Sequence, residues 1–249
     1  GVIVGSSAGS INPSDIETMT ILKDAASTAV YGSQGANGVI VVTTKSGKSG
    51  KATINFSTKM AATTLNTGNF NLMNGAELYD LYDSFSNKQD FSNAWWWTPE
   101  LRNKNFDWWD NATRTGLATD HNLSISGGNE SLKSYISLGV YDETAAIRGY
   151  DYTRYNALLK FSYKVNNWLT VRPQINATRR DVLDRQHSVG AMYGNMPWDN
   201  PYLADGTLVG NQPNPTWVNT TGSNYLYDLQ WDYSESEAYD VRSNFDFDI

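Results

Sequence analysis

Cysteine is absent from this 249-residue chain, so neither disulfides nor thiolate metal sites hold it together. Histidine is nearly absent. His121 and His187 lie in separate segments, and no H-x-x-x-H spacing offers a metal two imidazoles. Basic charge is outweighed: 19 Lys and Arg stand against 26 Asp and Glu, a net charge of −7 with a pI near 4.8. With no basic patch to neutralise phosphates, nucleic acid is excluded as a partner. No run approaches the roughly 18 apolar residues of a membrane-spanning helix. That absence leaves a β-barrel open, because barrel strands are apolar only at alternate positions.

Catalytic signatures are missing too. Ser46 to Lys51 (Ser-Gly-Lys-Ser-Gly-Lys) lacks the G-x-x-x-x-G-K-[ST] spacing of a phosphate loop and reads as a flexible hinge. There is no G-x-S-x-G elbow, and no two carboxylates are brought to the separation a glycosidase needs. Asp246-Phe247-Asp248 fits strand alternation better than a calcium loop, since Phe247 breaks that pattern. No enzyme, cofactor or metal is expected.

Aromatic residues are plentiful, with 15 Tyr and 9 Trp. The most distinctive stretch is Leu22 to Lys48. Asp24 to Tyr31 is small and alanine-rich, which favours a short helix, and Gly32 can take the left-handed conformation that ends it. Ser33 to Gly38 is a turn built on Gly35, Asn37 and Gly38. Val39 to Thr44 is β-branched and uncharged, the mark of a strand covered on both faces.

The residues Leu22-Lys23-Asp24-Ala25, Ala29, Tyr31-Gly32-Ser33, Gly35-Ala36-Asn37-Gly38-Val39-Ile40 and Thr43-Thr44-Lys45 resemble the end of the plug domain in SusC/RagA-type TonB-dependent outer-membrane transporters. Gln34 departs from the family, which usually carries arginine there. Lys133 to Gly139 and Arg154-Tyr155-Asn156 resemble the family's early barrel strands. Gly1 begins no signal-peptide pattern, and the chain stops on Phe-Asp-Phe-Asp-Ile inside an alternating run, so an internal segment of a longer polypeptide is expected.

Upstream of the plug motif, Val2-Ile3-Val4 is a short apolar run. Ser14-Asp15-Ile16-Glu17 fits a capping box, and Thr18 to Leu22 a strand. Downstream, Ala52, Ile54 and Phe56 alternate with polar residues. Asn74 to Phe85 reads as an amphipathic helix capped by Asn74, and 87–111 as an irregular loop dense in tryptophan. Alternation returns at His121 to Ser126, Tyr135 to Tyr141, Tyr155 to Tyr163 and Leu169 to Thr178. After a long loop from Arg179 to Thr221 it resumes at Tyr225 to Tyr233 and Tyr239 to Ile249.

The polar faces of these segments hold Ser, Thr, Asn and Gln with sparse charge, unlike the charged face of a soluble sandwich. Tyr135, Tyr141, Tyr155 and Tyr163 bracket the apolar runs where interfacial girdles would sit.

The expected architecture is mostly β: part of a transmembrane β-barrel with an α/β plug domain in its lumen. Residues 1–48 are expected to be the later plug and 49–249 the first barrel strands with long extracellular loops. The resemblance implies TonB-dependent import of a glycan or oligopeptide across the bacterial outer membrane, with a SusD-like lipoprotein partner. It also implies a structural plug motif at Asp24, Tyr31, Gly32, Gly35, Asn37, Gly38 and Lys45. Trp95, Trp96, Trp97, Trp108 and Trp109 are candidate contacts for a ligand or partner, or else loop-core and interface anchors. The competing reading is a surface glycan-binding or adhesion β-protein that transports nothing.

Overall fold

The computed structural model describes residues 11–24, 28–85, 94, 96–185, 188–210 and 224–249. Val2-Ile3-Val4, Trp95 and His187, together with parts of the Asp24–Tyr31, 87–111 and 179–221 segments, lie outside them. Among the described residues the strands form two sheets. Strands β1 (Ile16–Leu22) and β2 (Val39–Thr44) form an antiparallel pair. Strands β3 (Gly50–Thr63), β4 (Gly116–Gly128), β5 (Leu132–Thr144), β6 (Tyr150–Lys164), β7 (Thr170–Arg185) and β8 (Tyr233–Asp248) form an open antiparallel meander, each paired with its neighbours in sequence.

The strands run well past the apolar segments that mark them, because their outer ends are polar and still paired. At one end the connections are tight. Asn129 Oδ1 accepts from the amides of Ser131 and Leu132 at 2.9 and 2.8 Å, and Asn166 Oδ1 from those of Trp168 and Leu169 at 3.0 and 2.8 Å. Such side-chain mimicry of a turn suits asparagine. The long connections, 64–115 and 186–232, leave from the opposite end.

The long connections are partly helical. Helix α1 (Gly75–Asp83) is capped by Asn74, as its sequence leads one to expect; the Asn74 side chain accepts from Glu77 N, and the Glu77 carboxylate in turn accepts from Asn74 N. Helices α2 (Trp108–Ala112), α3 (Val189–Tyr193) and α4 (Tyr225–Trp231) are shorter.

Several expectations are corrected. Tyr225 to Tyr233 is not a strand: residues 225–231 form α4, with Asn224 Oδ1 accepting from Leu226 N. Tyr225 and Leu229 are four apart, a spacing common to alternation and to a helix, and the cap decides between them. Trp108 and Trp109, expected in irregular loop, lie on α2. The expected long loop after 178 starts later, since β7 continues to Arg185. The turn near Ser14 is a 3-10 segment, Pro13–Asp15, capped by Asn12 rather than Ser14, and Glu17 is already in β1. Proline at its first position and the Asn12 carboxamide set that boundary.

The helix expected over Asp24 to Tyr31 is, among the described residues, a 3-10 stretch at Ala29–Gly35 that kinks at Gly32. Strand β2 is not covered on both faces: Ile40 is 61% exposed, and Thr43, on the opposite face, is exposed too.

Candidate functional site

The main sheet has its polarity reversed relative to a water-soluble protein. Directly paired residues in an antiparallel sheet share a face. Ile54, Ile125, Ile136, Leu159 and Ile175 lie in one row across five strands. Phe56, Leu123, Leu138, Ala157, Ala177 and Val241 form the next row across all six. This apolar face is open: Leu138 is 53% exposed and Ile175 39%, and no second sheet covers it among the described residues.

The opposite face carries Asn55, Ser124, Ser137, Leu158 and Asn176 in one row, and Ser57, Asn122, Gly139, Asn156 and Thr178 in the next. Here Asn122, Ser124, Ser137, Asn156 and Thr178 are buried. They satisfy one another: Asn122 Nδ2 donates to Ser137 Oγ at 3.1 Å, and Asn156 Nδ2 to Thr178 Oγ1 at 2.9 Å. Buried polar groups need such partners.

Aromatics bound the apolar face. Tyr155 and Tyr239 sit in one row beside Arg179, while Tyr163 and Phe247 flank Val171 at the tight-turn end, with Trp168 exposed in the turn. Tyr155 to Tyr163 spans about 26 Å of strand, or roughly 20 Å along the normal of a barrel tilted near 40°. Tyr135 and Tyr141, expected in the same girdles, point to the polar face instead, because their parity matches Ser137 and Gly139.

The segment from Asn12 to Ser49 is fastened to that polar face. Tyr135 donates its hydroxyl hydrogen to Asp15 Oδ1 at 2.9 Å, with both residues buried. Lys160 Nζ donates to Thr44 O and Oγ1 at 3.1 Å and to Ser46 Oγ at 3.0 Å. A Cβ at Gly139 would strike the Asn12 carboxamide, and one at Gly47 would lie 2.5 Å from Ser134 N. Residues 46–51 are therefore not the free hinge their composition suggests. Small side chains let the backbone settle directly on β5. Replacing Tyr135 with Phe strands the Asp15 carboxylate in a buried place, and about 1–3 kcal/mol of local protection is expected to be lost. Hydrogen exchange of residues 12–22 in the full-length protein reads this directly; unchanged exchange refutes it.

Within the plug-like motif, Gly32 has φ 57 and ψ −142, a glycine-only conformation rather than a left-handed helical one, and Gly38 has φ 93. Gly35 is needed for space: a Cβ there would lie 2.7 Å from Thr28 O. Asp24 O accepts from Thr28 N and Oγ1, at 3.1 and 3.0 Å. Lys45 Nζ donates to Ser14 O at 2.8 Å, while Lys45 N donates to Asp15 O. Tyr31 is half-buried, and Gln34 and Asn37 are exposed.

At the long-loop end, the two long connections share one core. Trp108, Ala112, Met192, Val209 and Tyr225 pack together, with Phe106, Trp109, Leu226 and Leu229 against them. Trp108 Nε1 donates to Met196 O at 2.9 Å, Asn224 Nδ2 to Val209 O at 2.8 Å, and Tyr225 N to Asn195 Oδ1 at 3.1 Å. Burial pushes the Tyr225 phenol pKa up. Beside this core, Trp97 stacks on Tyr79 at 4.4 Å and meets Trp96 edge-on at 5.8 Å, while Trp109 lies parallel to Tyr193 at 6.4 Å. Trp108 is 3% exposed and shows no face to a ligand; Trp96, Trp97 and Trp109 are half-buried.

Sequence reasoning missed Asn12, Asp15, Tyr135 and Lys160. The available signal was a lysine and a tyrosine on the strand faces that also carry Ser137, Asn156 and Ser162.

An open meander of long antiparallel strands, with polar residues buried on one face and apolar residues bare on the other, belongs to the class of barrel-type β-sheets. Known proteins agree. Over 151 residues the chain is 36% identical to the TonB-dependent receptor SusC of Bacteroides thetaiotaomicron, covering 59% of the chain and 14% of that protein. Over 210 residues it is 35% identical to TonB-dependent receptor P3 of Formosa agariphila, covering 80% of the chain and 20% of that protein. The fold matches the RagAB peptide importer in its closed-closed state with a TM-score of 0.71 at 22% identity, over 95% of the chain and 30% of the matched one. No family model matches. The chain is a relative of the SusC/RagA-type TonB-dependent receptors, and it spans a fifth or less of the two curated relatives just described. No helix among the described residues is long and apolar enough to cross a membrane.

Proposed function

We propose that this chain is the plug–barrel junction of an outer-membrane importer. In this reading residues 1–48 are the later part of the plug, residues 49–249 are the first barrel strands, and the barrel closes through further strands that pair with the free edges of β3 and β8. The observation that carries it is the reversed sheet, with Leu138 and Ile175 bare while Ser137 and Asn156 are buried. Lipid faces the first pair and the lumen the second. The motif at Asp24, Tyr31, Gly32, Gly35, Asn37, Gly38 and Lys45 serves folding and docking of the plug.

TonB would act through a segment upstream, and a SusD-like lipoprotein would sit over the long loops. The solute is a glycan or oligopeptide, in keeping with relatives described as receptors and a fold match described as a peptide importer. No catalytic step is assigned to the chain.

The test is uptake of oligosaccharides and oligopeptides by a strain lacking the gene, with the full-length gene restored. Import that is lost and regained supports the reading. A full-length protein that folds as a monomer without detergent fits the adhesion reading instead. Trp96→Ala is expected to reduce uptake two- to tenfold, from about 0.5–1.5 kcal/mol of aromatic contact, with outer-membrane levels unchanged. Unchanged uptake removes Trp96 from the solute path.

A further inference from the structure

We infer that Arg154 and Arg180 form a receptor for a carboxylate on the polar face of the sheet. The two are direct register partners on β6 and β7, on the same face as Asn156 and Thr178. Like charges placed directly opposite in a sheet repel, so the arrangement needs an anion to offset it. Three other sheet arginines have one, and Arg185 donates to the Leu229 and Gln230 carbonyls. Arg172 pairs with Asp248 at 2.6 Å, Arg242 with Asp240 at 2.6 Å, and Arg179 with Asp181 at 2.9 Å and Glu237 at 3.2 Å. Neither Arg154 nor Arg180 has an ion pair among the described residues.

Arg180 Nε is shut off from solvent and has no hydrogen-bond partner. Arg154 is held in place without being neutralised: its Nε donates to Asn156 Oδ1 at 2.9 Å, and its guanidinium lies 5.4 Å from the centre of the Tyr141 ring.

Most acidic groups on this face are already engaged, Asp184 on β7 among them. Glu143 accepts the Tyr141 hydroxyl hydrogen at 2.8 Å, and Asp240 holds Arg242. Asp120 lies two strands from Arg154, roughly 10 Å away, with Tyr141 between. Two planar guanidinium forks suit a carboxylate better than a neutral hydroxyl.

The position also suits a solute. The pair sits one row nearer the long loops than Gly139, where Asn12 rests, so it lies between the docked segment and the loop core. Tyr141 and Tyr152, with ring centroids 5.9 Å apart, give the site an aromatic flank. This inference rests on the importer reading and narrows its solute to one bearing a carboxylate, either a uronic acid or a peptide terminus.

Equilibrium binding to the full-length receptor in detergent separates these sources. One arm compares tri-galacturonate with neutral galactotriose; the other compares a tetrapeptide acid with its C-terminal amide. The acid is expected to bind about tenfold better in one arm, the range of a charge-assisted hydrogen bond. Arg180→Gln and Arg154→Gln should erase that preference while sparing the neutral probe, and Arg180→Lys should restore part of it. No acid preference in either arm, or one that survives both glutamine variants, overturns the site.

Crystals of the full-length wild type soaked in bromide give a reading that does not depend on variant folding. Bromide between the two guanidinium groups supports the site, and a receptor carboxylate already seated there overturns it. Import with no charge preference leaves the importer standing without this site. Charge preference without import does the reverse.

Discussion

An arginine in place of Leu138 is expected to cost about 2–4 kcal/mol in the bilayer and to remove the protein from the outer membrane, although Leu138 is 53% exposed. In a water-soluble sheet the same change at so open a position would fall within about 0.5 kcal/mol of neutral. The two outcomes separate lipid from water as the solvent of this face. Leu138 lies in the row from Phe56 to Val241, near the middle of the apolar band. Leu203→Arg is the control: Leu203 is comparably open at 45%, but it belongs to the long loops, and its replacement should be silent. Folded receptor is counted by its heat-modifiable migration in outer-membrane fractions. Equal yields for both variants would return the apolar face to water.

That contrast also explains why hydropathy is a poor guide here. A soluble sheet buries the face that alternation makes apolar. Here Ser137 is buried and Leu138 is not, although both sit in an ordinary alternating run. Alternation in β4 to β7 was legible, because period two is a local property of the chain. Which face would be covered was not fully local. It depended on Asp15 and Lys160 finding partners 120 and 116 residues away.

The same distinction sorts the remaining elements. Helix α1 was legible because Asn74 caps it and its apolar residues recur at helical spacing, though it ends at Asp83 and the reciprocal Glu77 bond was not foreseen. Helix α4 was not, since Tyr225, Tyr227, Leu229 and Trp231 also alternate, and its helical state depends on Asn224 being held by Pro201 O and Val209 O. Tyr135 and Tyr141 looked like girdle residues by type, but parity with Ser137 places them on the polar face. The glycines of the plug-like motif were recognisable as a set, yet for different reasons: Gly32 and Gly38 for positive φ, Gly35 for closeness to Thr28. The arginine pair left no mark in sequence, because 26 residues and a register separate its members.

Trp108→Ala is expected to be the most damaging single change in the loops, at about 3–5 kcal/mol of lobe stability. Its indole fills the centre of the core shared by the two long connections, against Ala112, Met192, Val209 and Tyr225. Removing it also orphans Met196 O, the acceptor of its Nε1. The strands do not depend on this core, since their ladders and the Asp15–Tyr135 contact lie on the sheet itself. The variant should therefore reach the membrane with a normal heat-modifiable band, while limited proteolysis cuts the long connections far faster than in wild type. Trp109→Ala, which loses a stacking partner in Tyr193 but no buried hydrogen bond, should show a milder version of the same pattern. If the Trp108 variant keeps wild-type protease resistance, the loops are held by the barrel rim and not by their common core. If it fails to insert, the lobe forms before the strands close and guides them.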